Sequence, residues 1–136
     1  MNYRDKLKDP RWQRKRLEVL QRDSFTCCHC GDDKNELHIH HLKYSGDPWE
    51  AEMDDMITVC RHCHSIVEVI KPILPDAIVK QIVRIGESSS WLSWAVILNG
   101  TKKPVAFFSL IDGRYFMETV VELTDLKNII KQVENL

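Results

Sequence analysis

Cys27-Cys28-His29-Cys30, then His40-His41, then Cys60-Arg61-His62-Cys63-His64: how these residues are read decides the fold of the first half of the chain. Cys27, Cys30, Cys60 and Cys63 offer four thiolates, the full tetrahedral complement of a structural zinc. The two Cys-x-x-Cys pairs are separated by 29 residues, and reuse of one spacing is hard to obtain from incidental cysteines. Four cysteines pair off in this way, and Cys28 is left as a bystander. A zinc clasp needs no histidine, so His40, His41 and His64 are surplus to it.

Outward from this stretch, the chain of 136 residues divides into three zones. The segment from Phe25 to about Ile70 holds every cysteine and every histidine. Within it, Cys30-Gly31 reads as a zinc knuckle, a turn whose backbone N–H groups point at thiolate sulfur. Leu37 to Leu42 reads as a short strand carrying the His pair, Ser45-Gly46-Asp47-Pro48 as a loop, and Met56 to Val59 as a second strand. From Cys63 onward, His64, Val67 and Glu68 have helical spacing, and Pro72 and Pro75 would end that helix. Metal binding supplies the folding free energy that a segment with few large apolar residues lacks.

Before it lies a helix from about Pro10 to Arg22, with Asp9 as N-cap and Pro10 at the first position. Trp12, Val19 and Leu20 share one side of it, with Leu17 nearby. Residues 1–22 carry eight basic side chains against three acidic ones, although the whole chain has a net charge of −1. Such an excess can track a phosphate backbone, or it can be a solvated helix face. Arg11, Arg14, Lys15, Arg22 and Lys43 are the candidate phosphate contacts.

After it, residues 76–136 contain neither cysteine nor histidine. Trp91–Leu98, Val105–Ile111 and Arg114–Leu123 read as strands, with Asn99-Gly100 and Asp112-Gly113 as hairpin turns. Thr124 is expected to cap a helix whose Leu126, Ile129, Ile130 and Val133 form one apolar stripe. The expected division is residues 1–72 and 76–136. The aromatic residues Trp91, Trp94, Phe107, Phe108, Tyr115 and Phe116 suit a sheet core better than a platform for bases. A scaffold, a dimerisation surface or a protein-binding module is the expected use of this zone.

No run approaches the roughly 18 apolar residues of a membrane span, and Met1–Leu20 lacks the apolar core of a signal peptide. The expected setting is therefore cytoplasmic, where paired cysteines are metal ligands rather than disulfides.

Adjacent residues on a strand point to opposite faces, so His40 and His41 cannot both ligate one ion. One can bind metal while the other faces a substrate, and His64 can supply a second ligand from a helix start. An imidazole with an ordinary pKa of about 6.5 can take a proton from water at neutral pH. A cation that offsets phosphate charge, beside a base that activates water, is what phosphodiester hydrolysis needs.

Residues 3–68 resemble the HNH endonucleases of the ββα-metal (His-Me finger, treble-clef) class. The resemblance runs through Leu7-Lys8-Asp9-Pro10-Arg11-Trp12, Arg22-Asp23-Ser24-Phe25-Thr26-Cys27, Leu37-His38-Ile39-His40-His41, Asp47-Pro48-Trp49-Glu50 and Asp55-Met56-Ile57-Thr58-Val59-Cys60-Arg61-His62-Cys63-His64. It implies a zinc-stabilised finger, which together with the small antiparallel meander and C-terminal helix read above makes an α+β protein. It also implies His40 and His64 as ligands of a catalytic Mg²⁺ or Mn²⁺, His41 as general base, and Cys27, Cys30, Cys60 and Cys63 on zinc. The implied substrate is double-stranded DNA, cut to a 3′-hydroxyl and a 5′-phosphate, in a phage, mobile-element or bacterial setting. The usual Asn of the motif falls on Asp55, which can accept the same hydrogen bonds but cannot donate as an amide does.

Two other functions compete. A zinc-stabilised module that binds nucleic acid or protein without catalysis predicts zinc but no second metal. A zinc deaminase needs His-x-Glu and Pro-Cys-x-x-Cys, and the chain has neither. His38, sharing a strand face with His40, is expected to be structural or solvent-facing. His29 and His62, inside the two Cys turns, are expected to be exposed, and Trp49 to pack against the finger.

Overall fold

The computed structural model describes residues 1–43, 46–73, 78–120 and 123–134, the last segment without the side chains of 123 and 124. Ser45 and Pro75 of the sequence analysis, and residue 76 at the start of its last zone, lie outside these residues. The chain is a mixed α+β protein in two compact units, Met1–His64 and Ser65–Leu136. The boundary between the two units falls between His64 and Ser65.

The first unit opens with a short helix, α1 (Tyr3–Lys6), and continues into α2 (Pro10–Arg22). The Asp9 carboxylate accepts the Arg11 N–H, and Pro10 stands in the first turn, so the expected cap forms. Trp12, Val19 and Leu20 are buried, whereas Leu17 is exposed. Trp12 and Val19 meet Ala51 and Met56 in a small core, with Leu7, Ile39, Trp49 and Met53 packed around it.

Two strands, β1 (Leu37–His41) and β2 (Met56–Cys60), pair antiparallel, with Leu37 opposite Cys60 and His41 opposite Met56. One-turn 3-10 helices at Pro48–Glu50 and Met53–Asp55 lie between them. From β2 the chain passes directly into α3 (Arg61–Ile70), so the second Cys pair sits where strand becomes helix.

The second unit holds a four-stranded antiparallel meander in the order β3-β4-β5-β6: β3 (Val79–Glu87), β4 (Trp91–Leu98), β5 (Ala106–Ile111) and β6 (Arg114–Thr119). Sequence reasoning had three of these strands and missed β3. Breaks in its register at Val79/Gln81 and Arg84/Gly86 destroy the period-2 pattern that reveals a strand. Gly86 marks the second break, and a Cβ there would sit 2.9 Å from the Trp91 ring.

Asp112 and Gly113 both have positive φ, which is the tight hairpin turn expected of Asp-Gly. The strand expected to reach Leu123 ends instead at Thr119. Leu123 already belongs to α4 (Leu123–Glu134), so Thr124 lies inside the first turn rather than at the cap. Leu126 and Val133 of α4 are buried, as are Trp94 and Phe108 of the sheet, while Trp91 and Phe116 are exposed. Phe107 and Tyr115 are half-buried, so the six aromatic residues divide evenly among core, margin and surface. No helix among the described residues is long and apolar enough to cross a membrane.

Candidate functional site

The sulfur atoms of Cys27, Cys30, Cys60 and Cys63 all lie within 4.8 Å of one another. The Cys30–Cys60 pair is 3.7 Å apart. Thiolates about 2.3 Å from a tetrahedral zinc stand roughly 3.8 Å apart, whereas a disulfide would bring them to about 2.05 Å. The four cysteines therefore fit a metal ion such as zinc.

Both Cys turns are built for this. Gly31, at φ +78°, closes the first, with its N–H donating to Cys27 O at 2.9 Å. In the second, the Cys63 N–H donates to Cys60 Sγ at 3.4 Å, a knuckle hydrogen bond that the sequence reading placed only at Cys30-Gly31. Crowded thiols share protons unevenly. Hydrogen bonds from Cys30, Cys60 and Cys63 drive Cys27 toward thiolate, and those with Cys27, Cys30 and Cys60 drive Cys63 the other way. A cation at the centre is what lets all four ionise together.

Cys28 stands outside this group, and its thiol is pushed up to about 11, first by burial of the sulfur and then by Asp23. His29 and His62, expected at the surface, are 6% and 7% exposed. The reason is that the Cys turns themselves are sunk into the unit, with Cys27, Cys60 and Cys63 buried.

The His pair separates as strand geometry requires. On one face, the His40 ring lies 5.4 Å from the His64 ring, edge to face. A ring nitrogen of each, with a Glu68 carboxylate oxygen, forms a group within 4.8 Å. Glu68 is one turn beyond His64 on the continuous helix α3, so helix geometry alone puts both on one side. Sequence reasoning noticed that spacing but did not count Glu68 as a ligand. The donor set, two imidazoles and a carboxylate, suits a divalent cation.

On the other face, His41 stacks on Trp12 with ring centroids 5.2 Å apart, and its Nε2 lies 3.4 Å from Pro48 O. The turn that supplies this carbonyl is held by the Asp47 N–H donating to the Glu50 carboxylate and by a 2.7 Å ion pair between Lys6 and Asp47. His41 is 4% exposed, and its pKa lies below the ordinary 6.5 because burial disfavours the imidazolium; the Pro48 carbonyl opposes this and His40 adds to it. It is held as neutral imidazole at neutral pH. Asp55 stands behind the pair: its backbone carbonyl accepts the Leu42 N–H at 2.7 Å, one residue past His41.

His38, expected to be structural or solvent-facing, lies with Nδ1 2.8 Å from His64 Nδ1. What hid it is that its partner is 26 residues away, on another element.

The candidate phosphate contacts divide by what their side chains already do. Arg11 forks onto Asp9 and lies 4.1 Å over the Trp49 ring. Arg22 reaches the carbonyls of Met53 and Met56 and pairs with Asp23. Arg14 and Lys43 are exposed, and Lys15 is half-buried.

Comparison with known protein families, curated proteins and solved structures finds no match. The reading of the site therefore stands on its own residues.

Proposed function

We propose that the chain is a metal-dependent endonuclease that hydrolyses DNA phosphodiester bonds, with a finger of the HNH, treble-clef kind. The observation that carries this reading is the His40, His64 and Glu68 donor group on one face of a hairpin whose other face holds His41. The four-cysteine cluster serves as its clasp.

A divalent ion such as Mg²⁺ or Mn²⁺, when bound there, supplies positive charge to phosphate oxygens. His40 and His64 would hold it through ring nitrogens, with Glu68 adding a carboxylate. His41 takes a proton from the attacking water at a ring nitrogen, and its depressed pKa keeps that lone pair available. Trp12 and Pro48 fix the ring in place. Asp55, through its main chain, keeps the strand end from shifting. Arg14, Lys15 and Lys43 attract the DNA backbone, while Arg11 and Arg22 first serve the fold.

The burial of His41 favours a second reading, a zinc-stabilised nucleic-acid- or protein-binding module without catalysis. Supercoiled-plasmid cleavage by zinc-loaded protein with added Mg²⁺ or Mn²⁺, beside His41→Ala, separates the two. Nicking that needs the divalent ion and disappears in the variant is expected. No nicking by either protein, with about one zinc per chain, would leave the binding module standing.

A further inference from the structure

β6 ends the meander on one side: it pairs with β5 and, among the described residues, with no strand beyond it. A row of outward N–H and C=O groups is a template for another strand, so sheet edges are usually blunted. β3, the opposite edge, is blunted by its register breaks. β6 keeps unbroken register with β5, from Ile111 opposite Arg114 to Ala106 opposite Thr119. Its side chains do not shield it either, since Phe116 is 54% exposed and Met117 36%.

Strand geometry fixes what this edge offers. The Val120 N–H donates to Val105 O, so the even-numbered positions of β6 turn their main chain toward β5. The tight Asp112-Gly113 turn asks the same of Arg114, which flanks it opposite Ile111. The odd-numbered positions, Met117 and Thr119 among them, therefore turn N–H and C=O outward. Met117 stands opposite Phe108 on the core face, and Arg114, Phe116 and Glu118 share the other face.

An antiparallel partner must match outward positions with outward positions, which leaves β6 few ways to pair with its own copy. Centred on position 115, such a pairing sets Glu118 against Asp112 of the second copy, like charge on like. Centred on position 117, it sets Glu118 against Phe116. Centred on Phe116, it sets Arg114 against Glu118 at both ends and brings the Phe116 rings side by side. Arg114, Phe116 and Glu118 are all exposed. Opposite charges and aromatic pairs directly across a ladder stabilise it, and like charges destabilise it. Within its own sheet, Phe116 faces only the small polar Ser109 across the ladder.

We propose that β6 pairs antiparallel with β6 of a second copy of this chain, centred on Phe116, which joins the two meanders into one continuous sheet. On the function proposed above, such a dimer carries one cutting site for each strand of a duplex. The pairing itself does not depend on that function.

Sedimentation equilibrium of the full, zinc-loaded chain tests it. The mass should rise with concentration to about twice the 15.9 kDa of one chain. Arg114→Glu and Glu118→Arg each set like charges against one another at both ends of the pairing, and each should weaken self-association about 10–100-fold. Mixing the two variants should restore the dimer, because opposite charges then meet at both ends. The double variant Arg114→Glu with Glu118→Arg should restore it as well, and neither rescue is open to a misfolded chain. A wild type that stays monomeric up to about 1 mM would overturn the proposal and leave the edge to another chain. A dimer indifferent to both single variants would overturn it by placing the interface elsewhere. Single variants that weaken association but are not rescued by mixing would overturn the register. These masses are read without DNA or Mn²⁺, so failure of the nuclease reading would leave them unchanged.

Discussion

The imidazole of His41 stacks on the indole of Trp12, with centroids 5.2 Å and planes 29° apart. The contact joins the helix that docks the finger to the residue that would act as base, so one side chain serves both packing and site. Replacing Trp12 by Ala removes a buried aromatic and should cost about 3–5 kcal/mol in urea unfolding. Trp12→Leu keeps apolar volume and should cost less, yet it removes the aromatic face under His41. The expected outcome is a Leu variant that stays folded and zinc-loaded but nicks plasmid more slowly. Unchanged nicking would mean that Trp12 does not orient the base.

The four-cysteine cluster predicts metal-dependent folding of the first unit. Chelation, or Cys63→Ser, should release about one zinc per chain and abolish the near-ultraviolet signal of Trp12 and Trp49. Cys28→Ser should change neither, because that thiol lies outside the cluster. Metal content and circular dichroism of the three proteins check this. Loss of zinc from the Cys28 variant would contradict the assignment.

The legible parts of this chain were those that local chemistry specifies. Asp9-Pro10 gave the start of α2, Asp112-Gly113 gave a hairpin turn, and the Cys spacing gave a cluster that the structure closes to within 4.8 Å. What was missed depends on long-range placement. β3 was hidden by two register breaks. The burial of His29 and His62 depends on how deep the Cys turns sit, which no neighbouring residue announces. The His38–His64 bond spans two elements and exists only once β1 and the start of α3 are brought together. Glu68 was within reach, since a carboxylate four residues after a helical His is a readable signal.

The ion site predicts a division among its members. His40→Ala should abolish Mn²⁺ binding and nicking together. Glu68→Gln should weaken binding while leaving the zinc cluster and the fold intact, because Glu68 is exposed. His41→Ala should abolish nicking with Mn²⁺ binding retained, since that ring lies on the opposite face of β1. Calorimetry beside plasmid cleavage reads all three. Loss of Mn²⁺ binding in His41→Ala would show the pair acting as one ligand set.

Asp23 ends α2 and accepts the Thr58 N–H at 3.0 Å as well as the Arg22 guanidinium. Burial pushes its carboxyl up, but the hydrogen bonds from Arg22 and Thr58 outweigh this and hold it below the usual 3.8. A pKa lowered in the folded state contributes stability that is present above the unfolded value and is lost as pH falls through the folded one. Asp23→Ala should therefore cost about 1–3 kcal/mol. That difference from wild type should stay constant between about pH 5 and 8. A difference that changed within that window would point to a histidine rather than to Asp23.

The basic residues of α2 should prove unequal, because their guanidinium groups are unequally committed. Arg22 is held by two backbone carbonyls and Asp23, so Arg22→Ala should lower the urea midpoint and affect DNA binding mainly through stability. Arg14 is exposed on the same helix, and Arg14→Ala should leave unfolding unchanged. If Arg14 neutralises one phosphate, its loss should reduce the slope of log K against log salt by about 0.9 on duplex DNA. Fluorescence anisotropy across a salt series measures that slope directly. An unchanged slope for Arg14→Ala together with Lys15→Ala would remove α2 from the DNA-binding face. The basic excess of residues 1–22 would then be the solvated helix surface that charge alone equally allowed.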